Sequence, residues 1–251
     1  FKDISQGVFV LKIDELCNAL VLWLQESVQK AGAKGAVFGL SGGIDSAVAS
    51  VLCKKAFGKK ALGLIMPCHS DKNDAIDASL VADKFDIKYH TIVLDNVYDE
   101  LLKVMDKSEN NMAKANIKPR LRMTTLYYYA GINNYLVVGA ENKSELTVGY
   151  FTKYGDGGAD LWPIGNLVKS QVRELASYIG VPKRIIDKTP TAGLWSGQTD
   201  EAEMGITYDQ LDRYILYGEF GAPKIKERIN TLYKKSEHKR QPPHIPEFKL
   251  C

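Results

Sequence analysis

The sequence predicts an α/β fold: a three-layer, doubly wound, mostly parallel sheet with helices on both faces. Two observations carry this expectation. Short apolar runs recur with helix-period segments between them, and the first run stops at a Ser-Gly-Gly turn that opens a helix. Apolar residues at Ile13, Leu16, Cys17, Leu20, Leu24 and Val28 have the spacing of an amphipathic helix over 13–28, which Gly32 ends. Residues 36–40 read as a buried parallel strand and 45–56 as the helix after it. A second strand, 61–66, stops at Pro67; a helix over 74–85 follows and completes a βαβ unit. Residues 88–94 read as a third strand, Asp95 caps a helix to about 105, and a helix over 122–133 leads into a strand at 135–139. Ligands of such a sheet sit beyond the carboxyl ends of its strands, so functional sites are expected after Leu40 and after Gly139.

Past Gly139 the pattern changes. Residues 150–162 are rich in glycine and charge without a period and read as an ordered loop; a helix is expected over 169–179. Residues 189–205 form a second long aperiodic stretch, a candidate lid. Helices over 207–216 and 223–234 precede a basic, proline-rich tail at 237–243. No internal repeat is visible.

The chain of 251 residues is expected to be one domain, 1–251. Lysine plus arginine outnumber aspartate plus glutamate by only 33 to 30, too little for a nucleic-acid-binding field, so anion binding must be local. Cys17, Cys53, Cys68 and Cys251 form no CxxC pair, which argues against a zinc site or redox dithiol and fits a reducing, cytoplasmic setting. No run approaches the length of a membrane span and no secretory leader pattern opens the sequence, so neither membrane insertion nor export is expected.

The hexapeptide Ser41-Gly42-Gly43-Ile44-Asp45-Ser46 carries the most chemistry. Two glycines let backbone N–H groups close around an anion, the next helix adds its positive end, and Ser41 and Ser46 offer hydroxyls. A carboxylate at Asp45 beside phosphate implies Mg2+ between them. The Walker pattern is absent, which points away from an ordinary kinase or ATPase loop. The hexapeptide resembles the SGGxDS loop of the ATP pyrophosphatases, which cleave ATP between the α and β phosphates and share an adenine-nucleotide α-hydrolase-like (Rossmann-like) fold. The loop alone leaves the acceptor open.

Further motifs resemble the NAD synthetase family over essentially the whole chain: Asn142-Lys143-Ser144-Glu145, Phe151 to Asp160, Pro163, Pro119 to Met123, Leu167 to Ser170, Pro190-Thr191-Ala192, Gly197 to Glu201, and His238-Lys239-Arg240. The resemblance implies ATP-dependent amidation of deamido-NAD by ammonia: the nicotinate carboxylate attacks the α-phosphorus, pyrophosphate leaves, and ammonia displaces AMP. It implies Asp45 and Glu145 as Mg2+ ligands. ATP contacts follow at Gly39, Leu40, Ser41, Gly42, Gly43, Ile44, Asp45, Ser46, Ala140, Lys169 and Thr191. Deamido-NAD contacts follow at Arg120, Lys153, Asp160, His238 and Lys239. Asp45, Lys169 and Asp160 are the implied catalytic residues, with Asp160 binding ammonium and accepting its proton. The bland local alternatives are a helix cap at Asp45, a surface charge at Glu145 and a solvated first-turn residue at Lys169, and the two motifs together outweigh them.

Two departures stand out: Ala140 where the family has threonine, and Gly193 where it often has aspartate. About 35 residues precede the first strand, leaving no room for the glutaminase domain of some relatives, so free ammonia is the expected nitrogen donor. The family implies a homodimer with the site at the interface, for which the helix at 121–133 with Tyr127, Tyr128 and Tyr129 is a candidate surface. Two alternatives stay open: another ATP pyrophosphatase, tRNA-thiolating or GMP-synthetase-like, and a non-catalytic adenine-nucleotide sensor. The low charge and unpaired cysteines disfavour the first; Asp45 with Glu145 disfavours the second.

Overall fold

The computed structural model describes residues 11–193, 195, 197–218 and 221–248. Four strands, β1 (Ala36–Gly39), β2 (Ala61–Ile65), β3 (Lys88–Thr91) and β4 (Leu136–Val138), form one sheet in the order β3-β2-β1-β4. Every pairing is parallel, with Val37 opposite Leu62 on one side and Val137 on the other. The helices are α1 (Ile13–Lys30), α2 (Ile44–Phe57), α3 (Lys72–Lys84), α4 (Asp95–Lys103), α5 (Asn111–Ala115), α6 (Ile117–Asn133) and α7 (Lys143–Val148). They continue as α8 (Lys169–Tyr178), α9 (Lys183–Ile186), α10 (Asp200–Met204), α11 (Tyr208–Tyr217), α12 (Pro223–Lys235) and α13 (Glu237–Arg240).

The period-2 alternation of a strand divides the core into the two faces expected of a three-layer fold. Ala36, Phe38 and Leu40 point to one side, where they pack with Leu24 of α1, Val48 and Leu52 of α2, Val81 of α3, and Val172 and Leu175 of α8. Val37, Leu62, Leu64 and Val137 point to the other, against Leu94, Ala130 and the half-buried Leu126 and Tyr129 of α6. Each fully buried side chain of this kind, Leu24 or Phe38 for example, contributes about 1.5–3 kcal/mol relative to exposure. A separate cluster of Val148, Met204, Ile206, Tyr208, Leu211 and Ile229 ties α7, α10, α11 and α12 together beside the sheet.

From β1 the chain winds outward through β2 to β3, then returns past β1 to β4. The winding therefore reverses between β1 and β4, and a crevice opens at their carboxyl ends. Both positions singled out in the sequence, after Leu40 and after Gly139, lie there.

Several boundaries differ from expectation. The third strand ends at Thr91, not 94, because Leu94 turns to donate its N–H to the Pro67 carbonyl (2.8 Å) and precedes α4. Helix α6 starts at Ile117 rather than 122; Pro119 falls in its first turn, where the missing N–H costs no helical bond. Residues 237–240 form a helical turn rather than the start of a tail, and the candidate lid contains α10. Residues 150–162 are a loop as read, joined to β4 by one parallel bridge between Val138 and Leu161. Cys17, Cys53 and Cys68 are buried free thiols, and Cys251 lies outside the described residues. Among the described residues no helix is long and apolar enough to cross a membrane.

Candidate active site

The hexapeptide lies between β1 and α2 as its composition requires. Gly42 has φ +78°, and a Cβ there would stand 2.4 Å from the Asp74 carbonyl oxygen, so both the backbone conformation and the close approach of α3 demand glycine. Gly43 is extended and opens α2. The Ser41 and Ser46 hydroxyl oxygens are 2.9 Å apart, and Ser46 donates to the Gly43 carbonyl (3.0 Å) while its oxygen accepts from the Ser41 N–H (3.2 Å). The loop is thus tied by its own hydroxyls at the amino end of a 14-residue helix, the geometry that receives phosphate.

Three side chains from distant parts of the chain meet beside it. Lys169, at the start of α8, donates to Asp45 Oδ2 at 2.6 Å and to Glu145 Oε1 at 3.0 Å. Asn142 caps α7 by accepting from the Glu145 N–H (3.0 Å) and donates through Nδ2 to Asp45 Oδ1 at 3.0 Å. Tyr208 lies under the ammonium, 4.7 Å from its ring centre, and its hydroxyl is 3.0 Å from Glu145 Oε1 and 2.9 Å from Asp200 Oδ2. Asp212 fixes the relation of α7 to α8: it accepts from the Ser144 hydroxyl (2.6 Å) and the Ser170 N–H (2.7 Å), and Ser144 accepts from the Lys169 N–H (3.0 Å).

Burial dominates the electrostatics. Lys169 is only 2% exposed, which by itself disfavours its charge, but Asp45 and then Glu145 outweigh that and raise its pKa. One ammonium cannot neutralise two carboxylates, so burial still pushes Glu145 up to about 7 against the opposing effect of Lys169. Burial also raises Glu141 well above the usual carboxylate range, with the charges of Asp156, Glu145 and Asp45 adding to it, and raises Asp156 and Asp200. Asp156 faces open space inside the crevice while protein surrounds that space. Asp200 Oδ1 is buried without a hydrogen-bond partner.

A cavity of about 610 Å³ gathers most of the expected ATP contacts. Gly39, Leu40, Ser41, Gly43, Ile44, Asp45, Ser46, Ala140, Lys169 and Thr191 line it, as does Glu145; Gly42 instead turns its backbone onto α3. Of the expected substrate contacts only Lys239 lines it, its ammonium donating to the carbonyls of Gly149 (2.8 Å) and Phe151 (2.7 Å). Arg120, Lys153 and His238 form a chain outside: the Arg120 guanidinium donates to the Lys153 carbonyl (3.3 Å) and Lys153 Nζ to the His238 carbonyl (2.6 Å). Asp160 is away from the lining, its carboxylate accepting from the Val137 N–H (2.8 Å) and the Tyr127 hydroxyl (3.0 Å).

Sequence reasoning did not single out Glu141, Asp156, Asp200, Tyr208 or Lys188. Asp156 and Asp200 stand inside motifs already quoted, Phe151 to Asp160 and Gly197 to Glu201, and Glu141 directly precedes the one that starts at Asn142; a charge in a glycine-rich segment was the available signal. Lys188 lines the cavity at the root of the candidate lid and pairs with Asp74 (2.9 Å) and Asp77 (2.7 Å) of α3. Gly193 lies in the same lid, where an added Cβ would be 3.6 Å from Asp74 Oδ2.

Asp45 and Glu145 suit a hard divalent cation: both are carboxylates held close by a shared ammonium, in a buried, anionic setting with the partnerless Asp200 oxygen nearby. Among the described residues no three His, Cys, Asp or Glu side chains converge into a metal cage.

Comparison with known proteins places this geometry. A family model described as NAD synthase matches residues 16–243. The NH(3)-dependent NAD(+) synthetase of Carboxydothermus hydrogenoformans is 50% identical over 237 residues, covering 93% of this chain and 97% of that one. Among solved structures, NMN synthetase from Francisella tularensis superposes with a TM-score of 0.91 at 43% identity, covering 95% of this chain and all of that one. NH3-dependent NAD synthetase from Campylobacter jejuni, in complex with nitrate, superposes at 0.79 with 30% identity, again covering 95% and 100%. With a matching family model over most of its length and the loop at 41–46, carboxylate pair and lysine assembled at one crevice, the chain belongs to the NAD synthase family.

Proposed function

We propose that the chain is an ammonia-dependent ligase that uses ATP and Mg2+ to convert the nicotinate carboxylate of deamido-NAD to the amide of NAD. The observation that carries this reading is the junction of Lys169 with Asp45 and Glu145 beside the loop at 41–46, at the β1/β4 crevice. A carboxylate is a poor acyl donor because its oxygen leaves badly. Attack of that oxygen on the α-phosphorus expels pyrophosphate and gives an acyl adenylate whose leaving group is AMP. The loop N–H groups and the amino end of α2 receive the negative charge of the departing pyrophosphate. Lys169, which lines the same cavity, supplies a further positive charge for the phosphates. Asp45 and Glu145 would hold Mg2+, which would supply further charge neutralisation for the phosphates.

Ammonia then attacks the carbonyl carbon and AMP leaves with the former carboxylate oxygen. An ammonium ion sheds two protons in becoming an amide nitrogen, so the site needs acceptors. Asp160 is the acceptor read from the sequence. Glu141 and Asp156, which line the cavity, are further carboxylates inside it that accept a proton when ionised. The exposed Tyr128 and Ile132 (63% and 62%) on α6 support a homodimer through that helix, whereas Tyr129 packs into the core. Sedimentation checks this: a fully active monomer contradicts it.

Incubation with deamido-NAD, ATP, Mg2+ and ammonium is expected to yield NAD, AMP and pyrophosphate in equal amounts, with glutamine inert as donor. ADP in place of AMP rejects the mechanism. The likeness to an NMN synthetase favours a second acceptor, the deamido mononucleotide. Comparison of kcat/KM for the mono- and dinucleotide decides between the two.

A further inference from the structure

Each oxygen of the Asp45 and Glu145 carboxylates already has a protein donor. Asp45 Oδ1 accepts from Asn142 Nδ2 (3.0 Å) and Oδ2 from Lys169 (2.6 Å). Glu145 Oε1 accepts from Lys169 (3.0 Å), with the Tyr208 hydroxyl also at 3.0 Å, and Oε2 accepts from the Asn142 N–H (3.4 Å). The Lys169 ammonium therefore fills the space between the two carboxylates and is closed off below by the Tyr208 ring.

A magnesium ion bound to these oxygens would stand about 2.0–2.1 Å from them, against the donors they already have. Two cations so close inside a buried crevice repel each other strongly, because little solvent screens them. The ion and the ammonium thus exclude one another at these oxygens. The displaced amine has a destination: Lys169 lines the same cavity as Ser41, Gly43 and Ser46 of the phosphate loop.

We propose that Lys169 is an exchangeable counter-ion, balancing Asp45 and Glu145 until a divalent cation arriving with the nucleotide takes both carboxylates and passes the ammonium to the triphosphate. Metal and nucleotide then help each other through one side chain: the metal frees the amine that the nucleotide needs, and the nucleotide gives the freed amine a new partner. Linkage makes this help reciprocal. The proposal rests on the reading that the loop at 41–46 holds a nucleotide triphosphate.

The test measures Mn2+ affinity of the full chain by electron paramagnetic resonance, with and without α,β-methylene-ATP, which is not cut at the α–β bond. In the wild type the analogue is expected to tighten Mn2+ by about 10–100-fold, within the usual range of coupling between sites. Lys169→Met is expected to bind Mn2+ alone about 10-fold more tightly than wild type, and the tightening by the analogue is expected to shrink about 10-fold. If the substitution tightens Mn2+ equally with and without the analogue, the lysine is a fixed bystander and the exchange is wrong. If the analogue changes Mn2+ binding in neither protein, the nucleotide reading fails first and the exchange falls with it. A wild-type crystal grown with Mn2+ and the analogue needs no variant to fold. Lys169 Nζ is expected beyond about 3.5 Å from Asp45 Oδ2, outside hydrogen-bond reach, and retention of that contact with Mn2+ on both carboxylates overturns the proposal.

Discussion

Lys169 Nζ reaches Asp45 Oδ2 at 2.6 Å across 124 positions of sequence, joining the start of α8 to the phosphate loop. The contact locks the strand-end loop to the second half of the molecule. It also holds the ammonium between Asp45 and Glu145, in the cavity that the loop at 41–46 lines.

Asp45→Asn removes the shorter of the two carboxylate contacts to a buried ammonium. Breaking such a pair from one side costs about 3 kcal/mol or somewhat more. AMP formation at saturating substrates is expected to fall by about 100-fold or more, a loss of ~3 kcal/mol in the transition state. Wild-type turnover in this variant contradicts the assignment.

Gly42→Ala places a Cβ 2.4 Å from the Asp74 carbonyl oxygen at a positive φ. Strain and backbone displacement together are expected to cost about 2–3 kcal/mol, lowering Tm by about 5–10 °C for a chain of this size. The KM for ATP is expected to rise in the same variant. An unchanged Tm means that α3 does not press on the loop.

The pairs of Lys188 with Asp74 and Asp77 anchor the root of the lid to α3. Lys188→Met is expected to speed amide hydrogen exchange across residues 189–193 and to raise the KM for ATP by about 3–10-fold, with a smaller change in kcat. Equal exchange in both proteins removes the anchoring role.

Burial raises the pKa of Glu141, Glu145, Asp156 and Asp200, so the folded chain binds protons that the unfolded chain has released. Their contribution to stability is therefore present at low pH and lost as pH rises through the folded values; for Glu145 the window runs from 4.5 to about 7. Without ligands, Tm is expected to drop between pH 5 and pH 8. Glu141→Gln, which removes one of these charges, is expected to flatten that drop and to be the more stable protein at pH 8. Parallel Tm curves for the two proteins rule this out.

Much of this was legible in the sequence because it is local. A continuous apolar run such as Ala36-Val37-Phe38 declares a strand buried on both faces, and the glycines after it declare a turn that approaches an anion. The third strand was overread because Ile92, Val93 and Leu94 prolong an apolar run that the backbone leaves to meet Pro67. Helix α7 escaped notice as a helix because six residues are too few to show a period, although Asn142 and Glu145 form its capping box. The ammonium between two carboxylates depends on contacts 24 and 124 positions long, which no local pattern encodes. The same holds for Asp160: its place in a glycine-rich motif is visible, but its two hydrogen bonds to Val137 and Tyr127 come from the sheet and from α6.

The central claim is that a substrate carboxylate attacks the α-phosphorus at this crevice, and oxygen transfer tests it most directly. Deamido-NAD labelled with 18O in the nicotinate carboxylate is to be turned over with ATP, Mg2+ and ammonium, and the products weighed by mass spectrometry. The prediction is one 18O atom in AMP and none in pyrophosphate. Unlabelled AMP, or label in orthophosphate alongside ADP, contradicts the account.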